Sequence, residues 1–327
     1  MNILLINYEF PPLGGGGGSF SRDLAEELAG RNNNVDVLTS GFPGLEKEET
    51  VNGVRVFRIP VPARNSLYYA TMPSLVSFPF MAIPKGLGLI KKNKYDVINT
   101  HFAVPSGPAG SVLSSLSGIP NVLSLHGSDI YNPVSKKSPH RLAPLRWAVR
   151  SSLTKAARVV ANSNYIRDCA IDIYSPKREI DVIPLGMTAP VFSSVPRSDL
   201  SMQEYAFYVV SVGRMAKVKG FDILLKTIKL MKTRGSEIHL LLIGDGPERK
   251  NLEDLSELLG ITDQVHFKGW VQGEEKFQYL AASDAYVMSS IHEGFGVVLL
   301  EAMAAGLPLI ATNTGGQTDI IKNEKSG

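Results

Sequence analysis

Residues 293–306 read Glu-Gly-Phe-Gly-Val-Val-Leu-Leu-Glu-Ala-Met-Ala-Ala-Gly. Glu293 stands on a turn loosened by Gly294 and Gly296, and Glu301 falls inside the apolar stretch that follows. Val297, Val298, Leu299 and Leu300 precede Glu301, and Ala302, Met303, Ala304 and Ala305 follow it, so the predicted helix has almost no polar face of its own. A buried carboxylate without a partner is costly, so donors on the protein or on a ligand must meet Glu301. The run Ala285-Tyr286-Val287-Met288 reads as a strand. The turn therefore lies at a strand's carboxyl end, where open α/β sheets bind ligands, and backbone N–H groups at Gly294 and Gly296 would face an anion there.

Outward from this stretch, short apolar runs alternate with helical patterns along the whole chain, which predicts parallel sheets covered by helices on both faces. At 327 residues and 44% hydrophobic content the chain can bury two cores of ordinary size. Strands are expected at 3–6, 35–38, 54–59, 97–99, 122–125, 159–161 and 181–183. A second series is expected at 207–213, 239–243, 264–267, 285–288 and 309–311. Helices fit between the later strands over 221–232, 247–259, 273–282 and 296–305. Leu224, Leu225, Ile228 and Met231 have the spacing of one buried face. Between the two series, Pro190 and Pro196 fall in a stretch with little apolar period. The expected organisation is a first domain over 1–186, a linker over 187–204 and a second domain over 205–327.

Lys plus Arg (34) nearly balances Asp plus Glu (31), a net charge of +3, so no nucleic-acid partner is expected. The single cysteine, Cys169, cannot form an internal disulfide and favours a reducing compartment. No zinc spacing exists, and no metal or cofactor is expected. The first residues, Met1-Asn2-Ile3-Leu4-Leu5-Ile6-Asn7, form too short an apolar run for a signal peptide and lack a basic lead-in, so they read as a strand of a cytoplasmic protein. In the weakly charged stretch 66–84, Pro73, Pro79 and Pro84 are expected to break any helix, and Tyr68, Tyr69, Ser74 and Ser77 dilute it. No spanning helix is expected there.

Three further groupings carry chemistry. Five glycines at 14–18, among them Gly15, Gly16 and Gly17, follow the first strand and precede a helical pattern over 20–28. Such a loop suits a phosphate at a helix amino terminus, although Ser19 breaks the dinucleotide fingerprint and no Lys-Ser/Thr follows for a P-loop. In Gly213-Arg214-Met215-Ala216-Lys217-Val218-Lys219-Gly220, Arg214 and Lys219 fall on the loop after the first strand of the second half. A guanidinium there can bridge phosphate oxygens and an ammonium can neutralise further charge on a departing diphosphate. His126 and His101 each end an apolar strand, an address on the ligand side of the sheet.

With these pieces in order the chain resembles the retaining GT-B glycosyltransferases of the family 4, or group 1, type. The likeness rests on Glu293-Gly-Phe-Gly with Glu301, Gly213-Arg214 with Lys219-Gly220, Ile243-Gly-Asp-Gly-Pro247 and the glycine loop. It implies two Rossmann-like domains facing a cleft, with a nucleotide-sugar donor mainly on the second domain and the acceptor mainly on the first. It further implies that Glu301 binds ribose hydroxyls, that Arg214 and Lys219 hold the diphosphate, and that Glu293 meets sugar hydroxyls. Backbone groups at Phe295 and Gly296 would add contacts, His126 would sit near the sugar, and Gly16 and its neighbours near the diphosphate; His101, from its strand-end position alone, is expected on the acceptor side. The expected activity is transfer to an acceptor hydroxyl in the synthesis of a cell-surface glycan or glycolipid, without a metal. A GT-B nucleotide-sugar epimerase and an inactive nucleotide-sugar-binding subunit are the alternatives. Members of the family continue past the equivalent of Gly315-Gly316 with further elements, so the second domain is expected to be incomplete. Basic residues at 136–158, from Lys136 to Arg158 around Trp147, raise the expectation of peripheral contact with an anionic membrane and a lipid-linked acceptor.

Overall fold

Strands of alternating or continuous apolar character assemble, in a computed structural model of the chain, into two units, residues 1–186 and 187–327. The structure describes residues 1–67, 69–188, 192–193, 195–271 and 273–322; Tyr68, Pro190 and residues 323–327, on which some of the expectations above fall, lie outside the described residues.

Unit 1 runs β1 (Asn2–Ile6), α1 (Gly16–Gly30), β2 (Asn34–Ser40), β3 (Glu48–Val51), β4 (Val54–Ile59), α2 (Met72–Lys92), β5 (Val97–His101), α3 (Ser106–Ser117), β6 (Asn121–Leu125), α4 (Ala143–Lys155), β7 (Arg158–Ala161), α5 (Asn164–Tyr174) and β8 (Ile180–Val182). Its sheet has the order β3-β4-β2-β1-β5-β6-β7-β8. Successive side chains of β1 serve opposite cores: Leu4 and Ile6 join Phe78 and Leu113 on one face, and Ile3 and Leu5 join Val35 and Val37 on the other. Both faces of β1 are thus dry, as parallel strands under two helical layers require.

Two features depart from the sequence reading. Strand β3 was not expected; it pairs antiparallel with β4 through Asn52 (φ 48°) and Gly53 (φ 81°). An Asn-Gly pair with both φ positive is the preferred tight hairpin turn, whereas β3 itself is mostly exposed and lacks an apolar signal. The prolines at 73, 79 and 84 were expected to break a helix, yet α2 continues through Pro79 and Pro84. Pro73 falls in the first turn, where the Thr71 hydroxyl accepts from Ser74 N and no N–H of Pro73 is missed. Ser74, Phe78, Ala82, Gly86 and Leu89 form a buried stripe, and this tertiary packing outweighs the roughly 3 kcal/mol that each internal proline costs. By length and composition α2 could cross a membrane, but its buried stripe belongs to the core of unit 1.

Unit 2 runs β9 (Phe207–Val212), α6 (Phe221–Thr233), β10 (Ile238–Ile243), α7 (Arg249–Leu259), β11 (Val265–Gly269), α8 (Gly273–Ala281), β12 (Ala285–Met288), α9 (Val297–Ala304), β13 (Leu309–Ala311) and α10 (Gln317–Ile320). Its five strands are all parallel, in the order β11-β10-β9-β12-β13. Part of the stretch read as a linker is built into this unit. Leu200 and Met202 are buried against Tyr208 and Val210, and Arg197 makes a two-pronged ion pair with Asp284 at 2.9 Å. Leaving aside the β3–β4 hairpin, the direction of strand addition switches in each sheet at one point, between β1 and β5 in unit 1 and between β9 and β12 in unit 2. Loops leaving the two strands at such a point diverge and open a crevice.

Candidate active site

In unit 2 the loop after β9 carries Arg214 and Lys219, and the loop after β12 carries Glu293, so the reversal point gathers them. Lys219 Nζ donates to Glu293 Oε2 as an ion pair, the two side chains being 20% and 18% exposed. The backbone builds this approach: Ser289 Oγ donates to the Lys219 carbonyl at 2.8 Å, and Ile291 N donates to the Val218 carbonyl at 2.8 Å. Arg214 is exposed and makes no ion pair among the described residues. Gly296 adopts φ 98° as it leads into α9, a left-handed conformation that side chains resist, and Phe295 beside it is buried.

Glu301 sits in the second turn of α9, its side chain 12% exposed. Oε1 accepts from Lys276 Nζ at 2.7 Å. Oε2 is buried and has no hydrogen-bond partner. The donor demanded by the sequence is therefore supplied for one oxygen only. Lys276, on α8, was missed by the sequence reading, because nothing local to Glu301 points to a lysine 25 residues upstream. The phenol of Tyr286 on β12 joins the carboxylates: it donates to the Val212 carbonyl, and burial together with Glu293 and Glu301 raises its pKa.

In unit 1 the glycine run divides. Gly14 and Gly15 form the turn, while Gly16, Gly17 and Gly18 already belong to the first turn of α1. Gly17 lies against the Phe102 ring so closely that a Cβ would collide with it. Gly15 N donates to Glu9 Oε2 at 3.3 Å, a carboxylate the sequence reading did not single out. Phe102 itself holds φ 71°, an uncommon value for a residue with a side chain, and its ring centroid is 4.4 Å from that of His126.

His126 follows β6 and is partly buried, whereas His101 at the end of β5 is wholly buried. Nδ1 of His101 is 3.0 Å from Nε2 of His126. Burial lowers the pKa of His126 to about 4 and, with His126 beside it, holds His101 well below 6.5, so both rings are neutral near neutral pH. Asp129 ties the loops together by accepting from Ala103 N (2.7 Å), Gly127 N (2.7 Å) and His126 N (3.1 Å). Burial raises its pKa to about 6 against the pull of those donors. Among the described residues no three His, Cys, Asp or Glu side chains converge as a metal site.

Unit 2 thus offers fixed cations beside a half-satisfied carboxylate, and unit 1 offers a neutral imidazole beside a glycine turn. The family model for Glycosyltransferase Family 4 matches residues 14–188, and that for glycosyl transferases group 1 matches residues 197–327. An uncharacterized glycosyltransferase of Methanocaldococcus jannaschii is 30% identical, the alignment covering 100% of this chain and 84% of that protein. Among solved structures, the sucrose-phosphate synthase of Thermosynechococcus elongatus superposes with a TM-score of 0.84 at 24% identity, over 100% of this chain and 84% of that one. HepE of Anabaena, solved in complex with UDP-glucose, superposes with a TM-score of 0.74 at 22% identity, over 99% of this chain and 83% of that one. Two parallel-sheet units, the site residues they position and these matches together show that the chain belongs to the group 1 glycosyltransferases of the GT-B type.

Proposed function

We propose that this glycosyltransferase moves a sugar from a nucleoside diphosphate to an acceptor hydroxyl with retention of configuration and without a metal or other cofactor. The observation that carries the reading is Glu301: Lys276 fixes its position through Oε1, and Oε2 is left buried without a partner. A vicinal diol such as a ribose supplies hydroxyl donors to such an oxygen, and the HepE complex with UDP-glucose shows that a protein of this fold holds a ribose-bearing donor.

Bond cleavage at the anomeric carbon leaves negative charge on the diphosphate. In this reading Arg214 and Lys219 stabilise that charge as it develops, the larger part of such catalysis being electrostatic. Lys219 exchanges its bond to Glu293 for one to phosphate, which releases the carboxylate to accept from sugar hydroxyls. In unit 2 the N–H groups of Phe295 and Gly296 donate to phosphate or sugar oxygens; in unit 1 His126 accepts from a sugar hydroxyl, Gly16 and Gly17 offer N–H groups to an anion, and Gly15 N–H does so on exchanging its bond to Glu9 Oε2. The acceptor oxygen bonds to the anomeric carbon on the face that the diphosphate leaves, and its proton passes to the departing phosphate oxygen.

A panel of uridine, guanosine and adenosine diphosphate sugars, assayed for nucleoside diphosphate release and for the anomeric configuration of the product by NMR, tests the reading. Release from at least one donor, retention, and activity in the presence of a chelator are expected; an inverted product or a covalent glycosyl adduct on Glu293 contradicts the mechanism. The acceptor we propose is a cell-surface glycan or lipid-linked sugar met at an anionic membrane on the cytoplasmic side. In support, α4 leaves Trp147 73% exposed on a helix that also carries Arg146, Arg150 and Lys155. Salt-sensitive co-sedimentation with anionic vesicles is the expected result, and its absence removes the membrane from the proposal.

A further inference from the structure

Asn99 and His101 are two positions apart on β5 and so share one face of the strand. His126, just past the neighbouring β6, meets them there. Asn99 Nδ2 donates to the Val122 carbonyl at 3.4 Å, which turns Oδ1 toward His101. His101 Nε2 lies 2.8 Å from that Oδ1, an atom that can only accept, so Nε2 carries the ring proton. In a neutral imidazole the other nitrogen is then an acceptor, and His126 Nε2, 3.0 Å away, must be the donor to it. One proton remains on His126, at Nε2, and Nδ1 keeps a bare lone pair. No bond to that Nδ1 is present among the described residues. The rings of Phe102 and Phe20, with centroids 4.4 Å and 6.0 Å from that of His126, flank it with apolar surface. The reversed chain, with the Asn99 amide turned over, would give up the bond to Val122 and leave a proton on Nδ1.

We propose that Asn99 and His101 are positioning residues that lock His126 in the Nε2–H tautomer, so that Nδ1 is an obligate acceptor for a hydroxyl of the sugar in transit. His101 then acts behind His126 and touches no substrate. The hydroxyl rests on the glycosyl-transfer reading above, whereas the tautomer is a property of the free protein. A tautomer fixed by the bond to the other ring nitrogen is the general way an enzyme decides what an imidazole can do.

Long-range proton–nitrogen NMR spectra of the full chain labelled with 15N-histidine, with kinetics on the same samples, test this. Wild-type His126 is expected to be protonated at Nε2 alone. His101→Leu removes the acceptor and is expected to mix the two tautomers of His126 and to lower kcat/KM about tenfold, the scale of one hydrogen bond. His101→Asn, whose Oδ1 takes the place of Nδ1, is expected to restore both. Thermal melting checks that the variants fold; should His101→Leu not fold, Asn99→Leu weakens the same chain one link further away, and the wild-type spectrum still decides the tautomer. A proton on Nδ1 in the wild type, an unchanged tautomer in His101→Leu, or a shifted tautomer with unchanged kcat/KM overturns the proposal. A wild-type protein that transfers no sugar counts against the functional reading instead, and leaves the spectra to judge the relay.

Discussion

At the scale of single residues, the Lys219–Glu293 pair sets the first test. Because the ammonium is expected to act chiefly on charge that develops as the bond to diphosphate breaks, Lys219→Ala should lower kcat on the order of 100-fold and change donor affinity far less. Stopped assays for kcat set beside calorimetric donor affinities separate the two, and equal losses in both would mean plain ground-state attraction. The histidine pair predicts a pH dependence of stability. His126 titrates near 4 in the folded chain and His101 well below 6.5, against 6.5 for an ordinary histidine, so the unfolded chain binds more protons in this window. Their contribution is present above pH 6.5 and is lost as pH falls toward 4. Asp129 opposes it: a carboxyl raised from 3.8 to about 6 stabilises the fold at low pH and loses that contribution as pH rises through 6. Two imidazoles against one carboxyl leave a net loss on acidification. Melting curves from pH 7 to pH 4.5 should show a Tm decline that is shallower in His101→Asn; equal slopes would remove the assignment.

At the scale of elements, α2 makes the sharpest prediction. Its helix continues through an exposed Pro84 that lacks the N–H to meet the Phe80 carbonyl, so Pro84→Ala should raise stability by about 1–3 kcal/mol in denaturant melts. A loss of stability would mean that the proline shapes the chain at that point. The episode also marks what a sequence shows. The strands 3–6 and 285–288 were legible because burial on both faces leaves runs without charged residues, and 54–59 because apolar residues still dominate around Arg55 and Arg58. The α2 prolines overrode a correct local rule because only the fold reveals the stripe from Ser74 to Leu89 that pays for them. β3 was missed since its residues are mostly exposed, although Asn52-Gly53 announced the hairpin. Of the candidate site, Glu293, Lys219 and His126 were singled out by loop position and Glu301 by its place in an otherwise apolar helix. Lys276 was not, because its partner Glu301 lies on another helix; Glu9 and Asn99 were not, because each works through a neighbour in its own segment, the Gly15 N–H and the His101 ring, and no local pattern marks such a contact.

At the scale of the whole molecule, each unit places its chemistry at or beside the point where its own sheet changes direction: the glycine turn and Phe102, with His126 one strand further, in unit 1, and the basic loop and the Glu293–Glu301 segment in unit 2. Everything proposed for the reaction depends on unit 2 holding a nucleoside diphosphate with Glu301 Oε2 on its ribose. The direct measurement is isothermal titration of uridine, guanosine and adenosine diphosphates into the full chain and into Glu301→Ala and Glu301→Gln, with Tm recorded to show that both variants fold. At least one nucleotide should bind the wild type, and removing the carboxylate should weaken it by about 2–3 kcal/mol, or roughly 30- to 150-fold in Kd. Equal affinity in folded variants, or no nucleotide binding by the wild type, would contradict the account.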